Sequence, residues 1–226
     1  AALALSGFGY RWGMWGLSTA FTIFRAVVFV GGAAAVLAVV GLVMALVRRR
    51  WAMAVVAAAA VVSGAVTVAV PLEFRRSAAA VPPIHDISTD TAHPPLFVAL
   101  RQARASAPNG ADYAGPAVAA QQARAYADLA PLRFAAAPDR VFGAVVAAAR
   151  ESGWEVVAAV PAEGRLEATA TTPWFGFKDD VVVRVVADGG GTKVDVRSAS
   201  RVGRSDLGVN ARRIRAFGEA LRRAVP

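Results

Sequence analysis

The 226-residue chain contains no cysteine, which excludes disulfides, zinc–thiolate centres and cysteine nucleophiles. Lysine is almost as scarce: only Lys178 and Lys193 occur, so the net charge of +9 rests on arginine. There are two histidines, His85 and His93. No glycine-rich phosphate loop, G-x-S-x-G elbow or H-E-x-x-H pair is found. Neither a cofactor nor a metal is expected. No recognition motif accompanies the basic charge, which argues against a nucleic-acid partner. Alanine and arginine richness together fit the codon bias of a GC-rich genome.

Apolar residues are plentiful: 56% of the chain, with a mean hydropathy of +0.46. This is too apolar for an ordinary soluble domain, and the excess lies in the first seventy residues. Trp51 to Val70 carries no charge and no proline between Arg48-Arg49-Arg50 and Pro71. As a helix it spans about 30 Å, the thickness of a bilayer's hydrocarbon core. Residues 21–47 are apolar except for Arg25 and read as a first spanning helix. Both helices are rich in glycine, alanine and serine, which lets helices pack closely.

Upstream, Tyr10, Arg11, Trp12 and Trp15 mark residues 6–20 as an interfacial segment, and Trp51 adds a belt aromatic. The chain starts at Ala1, not Met, so AALAL reads as the tail of a further apolar segment or a signal sequence. The three arginines of the short turn place it in the cytoplasm by the positive-inside rule. The remainder then lies in the periplasm of a bacterium, anchored to the inner membrane. Membrane lipids and other integral membrane subunits are the expected partners.

Residues 72–95 read as a linker and a polar strap, and 96–226 as an α+β domain. Short helices are expected at 96–105 and 117–127, a strand at 132–134, and a helix opened by Pro138. Strands at 154–160, 166–171, 181–187 and 192–198 form a four-stranded antiparallel meander. In the last, Val194 and Val196 alternate with Lys193, Asp195 and Arg197, so one face is core and one wet. Flanking amphipathic helices make this a two-layer sandwich.

Two polar clusters could carry chemistry. His85, Asp86, Ser88, Thr89, Asp90 and His93 form a strap bounded by prolines. They could bind a ligand or run acid–base chemistry, or they could satisfy turn backbone. Arg197, Arg201, Arg204 and Ser205 precede the last helix, whose N-terminus favours an anion such as a lipid headgroup. Alternatively, these arginines pair with Asp179, Asp180 and Asp206. Trp174, Phe175 and Phe177 read as core or partner contacts. No catalytic residue is assigned.

HDISTD with the following PP, Gly153-Trp154, GRLEATA, WFGFKDDVVVRV and VDVRSASRVGRSDLGVNARRIRAF resemble the family "domain of unknown function 1499" over about residues 81–221. GYRWGMWGLSTAF and the helix pair resemble the membrane portion of its bacterial members. The resemblance implies a membrane-anchored α+β domain and supplies no activity. The expected function is that of a non-catalytic accessory subunit of a larger membrane complex, of photosynthetic or respiratory type. The alternative is a periplasmic hydrolase or a ligand- or lipid-binding protein.

Overall fold

The computed structural model describes residues 2–225, so Ala1 lies outside the described residues. Its contacts divide the chain into two compact units. The first comprises the helices up to Ala79 together with Pro173–Gly176, and the second comprises the rest.

In the first unit, α1 (Ala2–Arg11), α2 (Leu17–Val47) and α3 (Trp51–Ala79) follow one another. Both α2 and α3 are long and apolar enough to cross a membrane. The segment read as interfacial is mostly helix, broken only at residues 12–16: α1 ends at Arg11, and α2 starts at Leu17 rather than residue 21. AALAL contributes Ala2–Leu5 to α1. α3 does not stop at residue 70 but runs through Pro71 to Ala79. Proline removes one ladder hydrogen bond, yet the residues beyond it favour helix. Glu73 and Arg76 pair one turn apart at 4.0 Å, and Phe74 stacks on Trp174 with ring centroids 6.0 Å apart.

Pro173–Gly176 belongs to this unit through its aromatics. Trp174 also faces Phe24 at 6.0 Å, and its indole N–H donates to the Ala4 carbonyl at 2.8 Å. Phe175 stacks on Phe21 at 5.6 Å and lies 6.4 Å from Tyr10. A side chain at Gly7 would place its Cβ 2.4 Å from the Trp174 nitrogen, so only glycine admits the indole. Arg11 donates to the Pro173 carbonyl. Trp15 donates to the Ser6 carbonyl at 3.1 Å, Trp12 stacks on Phe8, and Trp12 and Trp51 are exposed.

The second unit is α+β. Its strands are β1 (Asp86–Ser88), β2 (Leu132–Phe134), β3 (Glu155–Val160), β4 (Arg165–Thr171), β5 (Lys178–Asp188) and β6 (Gly191–Ser200). Its helices are α4 (Arg101–Ala105), α5 (Pro116–Ala125), α6 (Pro138–Glu151) and α7 (Val209–Ala224). The sheet has six strands, not four. β3, β4, β5 and β6 pair consecutively and antiparallel, and both β1 and β2 add to the free edge of β6. Three-residue strands are too short to show periodicity, which hid β1. Gly189 and Gly190, at φ +56° and +87°, make the tight turn between β5 and β6.

One sheet face carries Leu166, Ala168, Val183, Val185, Val194 and Val196 into the core. There they meet Val141 and Val145 of α6 and Ile214, Phe217 and Leu221 of α7. Trp154 stacks on Phe217 at 5.0 Å. The opposite face, expected to be wet, is covered: Asp195 and Arg197 are wholly buried. Phe97 and Leu100 pack there on Val182 and Ala199.

Candidate functional site

The alternation that sends valines inward sends Glu167, Thr169, Asp180, Asp195 and Arg197 to the covered face. Residues 86–113 lie over them as a strap that begins with β1. Asp86 pairs with Ala199 in register, and Ser88 with Arg197.

Arg197 donates from Nε and Nη2 to the two Asp86 oxygens at 2.9 and 2.8 Å. It also donates to the Pro95 and Ala111 carbonyls, both at 3.2 Å. Its guanidinium lies 4.8 Å from the Phe97 ring and 5.4 Å from Tyr113. Arg104 packs against the same Phe97 ring at 4.7 Å. It donates to Asp180 at 3.0 Å, to the Ala199 carbonyl at 2.8 Å and to the Gly110 carbonyl at 2.8 Å. Burial lowers the Arg104 pKa, and Asp180 opposes that shift.

Asp180 also takes both arms of Arg201, at 2.8 and 2.9 Å, and the Thr169 hydroxyl at 2.8 Å. Glu167 accepts three backbone N–H groups, from Val98, Ala99 and Leu100, at 2.9–3.0 Å, and pairs with Arg165. This is why residues 96–100 are not helical as expected: their donors turn to a carboxylate, and α4 begins only at Arg101.

At the far end of the strap, Asp90 accepts the His93 backbone N–H at 2.8 Å and pairs with Arg184 at 3.1 Å. Arg184 also reaches the His93 carbonyl at 2.9 Å and Asp195 at 2.7 Å. Burial pushes the Asp90 pKa up, but the His93 N–H, Lys193 and Arg184 outweigh it, and the net shift is downward. Ser88 exchanges backbone bonds with the Gln122 side chain at 3.0 and 2.6 Å, and its hydroxyl donates to the Asp90 carbonyl. The Thr89 hydroxyl accepts the Val196 N–H at 2.8 Å.

The structure does not bring the two histidines together. His85 bonds through its carbonyl to Ser200 and Asn210, whereas His93 sits by Arg184, beside Asp195. Ser200 and Asp195 are about 16 Å apart along β6. Among the described residues no group of three or more acidic or histidine side chains could hold a metal.

The arginine cluster is also divided. Arg197 and Arg201 are engaged as above, Arg204 is exposed, and Ser205 accepts the Leu207 N–H. Asp206 occupies the start of α7, accepting the Gly208 and Asn210 N–H groups at 2.9 and 2.7 Å. Burial raises its pKa against those two donors. Asp179 pairs with Arg213 at 2.7 Å, not with the cluster.

Arg104, Glu167, Arg184, Phe97 and Tyr113 escaped the sequence reading. A charged residue inside an otherwise apolar strand, as Glu167 is in RLEATA, was the available signal. Burial raises the Tyr113 hydroxyl pKa to about 12, with Asp86 adding to the shift. A crevice of about 190 Å³ lies between α7 and residues 128–132, smaller than the roughly 300–1,000 Å³ of ordinary ligand sites.

A family described as "Protein of unknown function (DUF1499)" matches residues 86–221. No curated protein matches the chain. Among solved structures, TTHA0849 from Thermus thermophilus is 13% identical, with TM-score 0.26, covering 42% of this chain and 96% of that one. CalU16 from Micromonospora echinospora is 16% identical, with TM-score 0.26, covering 42% and 84%. Ara h 8.0201 is 13% identical, with TM-score 0.23, covering 41% and 95%.

Proposed function

The chain belongs to the family of unknown function that matches residues 86–221, and from that premise we propose a membrane-anchored, non-catalytic accessory subunit of a larger membrane complex. Its α+β domain then faces the periplasm, with the Arg48–Arg50 turn in the cytoplasm. One observation carries this reading. The charged side chains buried on the sheet's covered face are each engaged inside the domain: Arg197 with Asp86, Arg104 and Arg201 with Asp180, Glu167 with backbone.

Groups spent on ion pairs and backbone bonds hold a shape; among the described residues Asp195 Oδ1 is the one carboxylate oxygen of that face left without a partner. The helices α2 and α3, by contrast, leave most of their apolar surface uncovered, which suits packing against other membrane subunits.

Blue-native electrophoresis of gently solubilised membranes tests the proposal. A discrete large assembly containing this chain is expected. Migration only as a monomer or small homo-oligomer would count decisively against it. Alkaline phosphatase fused after Pro83 should be active and a fusion after Arg50 inactive; the reverse pattern would sink the orientation.

A further inference from the structure

We infer that the arginine end of the α2–α3 hairpin binds one anionic phospholipid, its headgroup on Arg48, Arg49 and Arg50 and an acyl chain in the groove between the helices. This rests on the membrane-anchored reading above. The two helices do not pack evenly along their length. Away from the turn they are in close contact. A Cβ on Gly64 would stand 2.4 Å from the Ala35 Cβ, and one on Gly31 would stand 2.8 Å from Thr67 Cγ2.

Near the turn the same small residues leave room. Nothing lies within 4 Å of where a Gly41 side chain would start. A groove of about 490 Å³ opens there, lined by Ala38, Gly41, Met53, Val56, Ala57 and Ala60 among others. Its lining on α3, from Ala52 to Ala60, rises about 12 Å, against about 15 Å for the hydrocarbon of one leaflet. The groove therefore ends near mid-membrane, where the helices close. An acyl chain entering from one leaflet fits that depth. A partner's spanning helix needs a seam along the full thickness.

Charge selects the headgroup. Arg48, Arg49 and Arg50 are exposed, and no acidic residue precedes Glu73 in the chain. Glu73 lies about 33 Å from Trp51 along α3, so the three cations have no neutralising carboxylate on the hairpin near them. Arg50 Nη1 stands 3.9 Å from the sulfur of Met53, which puts positive charge at the groove's mouth. Clustered arginines beside a spanning helix attract anionic headgroups, and an apolar groove beneath them holds the tail.

The test uses the full chain exchanged through vesicles of mixed phosphatidylglycerol and phosphatidylcholine, with bound lipid counted by native mass spectrometry. One retained phosphatidylglycerol per chain is expected. The triple variant Arg48→Gln, Arg49→Gln, Arg50→Gln should retain about tenfold less. So should Gly41→Leu, which fills the groove without touching the charges. Undiminished retention in Gly41→Leu, or equal retention of phosphatidylcholine, overturns the site. A benzophenone placed at Gly41 should label lipid, and labelling of a protein instead also overturns it. Alkaline carbonate washing separates the two levels. If the chain stays in the membrane while lipid counts do not change, this inference alone fails; if the chain is released, the membrane reading fails and takes the site with it.

Discussion

Asp86 and Arg197 meet diagonally across β1 and β6 as a two-armed ion pair, with both residues almost entirely shielded from solvent. The pair fastens the first residue of the strap to β6. Removing the carboxylate strands a guanidinium with only the Pro95 and Ala111 carbonyls and two aromatic rings for company. Breaking one side of a buried pair costs about 3–5 kcal/mol. Asp86→Ala should therefore lower stability by that amount in denaturant titration of the detergent-solubilised chain. The double change Asp86→Leu with Arg197→Met should cost distinctly less. Equal losses in both variants would show that the strap is held by something other than this pair.

Asp90 gives the strap a pH dependence. Burial raises its pKa, but the His93 N–H, Lys193 and Arg184 together hold it below the ordinary 3.8. A depressed acid contributes stability that is complete above its unfolded value and is lost as pH falls through the folded one. Stability against heat should thus weaken below about pH 4, and Asp90→Asn should flatten that acid limb. Asp90→Ala should cost about 1–3 kcal/mol at neutral pH. His93→Ala should be close to neutral, because the donor to Asp90 is backbone. A large loss on His93→Ala would contradict this assignment.

How much was legible in the sequence depended on period. β4, β5 and β6, the helix from Pro138 and the two long apolar helices all show through repeats of two or 3.6 residues. β1 and the covered face did not, because they are long-range. Asp86 finds Arg197, and Glu167 finds Val98, Ala99 and Leu100, across gaps of more than sixty residues. Alternation told correctly that Arg197 and Asp195 point away from the valine core. It could not tell that another part of the chain lies over them. Pro71 misled for the opposite reason: a local rule said stop, and the helix-favouring residues after it prevailed.

The loop Pro173–Gly176 depends on one hydrogen atom. Gly7 lets the Trp174 indole approach α1, where its N–H reaches the Ala4 carbonyl. Gly7→Val should push the indole out, and Trp174→Ala should remove it, with a loss below the roughly 3–5 kcal/mol of a fully buried aromatic because Trp174 is half-buried. Chymotryptic cleavage at Phe175 or Phe177 should accelerate at least about tenfold in either variant. Unchanged cleavage in both would mean that this packing does not protect the loop.

The hairpin offers a sharper test because the chain has no native cysteine. A Cβ built on Gly31 lies 3.2 Å from the Thr67 Cβ, just short of the roughly 3.5–4.5 Å that a disulfide spans. With Gly31→Cys and Thr67→Cys, mild oxidation should cross-link α2 to α3 after only a slight separation of the helices. Adding Gly64→Leu should abolish the cross-link, since its side chain would collide with Ala35 and the Gly31 carbonyl. Adding Gly41→Leu should leave it intact, because that position faces open space. Mobility on denaturing gels, with and without reductant, reads all three. Loss of the cross-link in both added variants would mean that the hairpin closes evenly along its length, contrary to the contrast between Gly64 and Gly41. Loss in Gly64→Leu alone is the outcome that a closed end and an open end require.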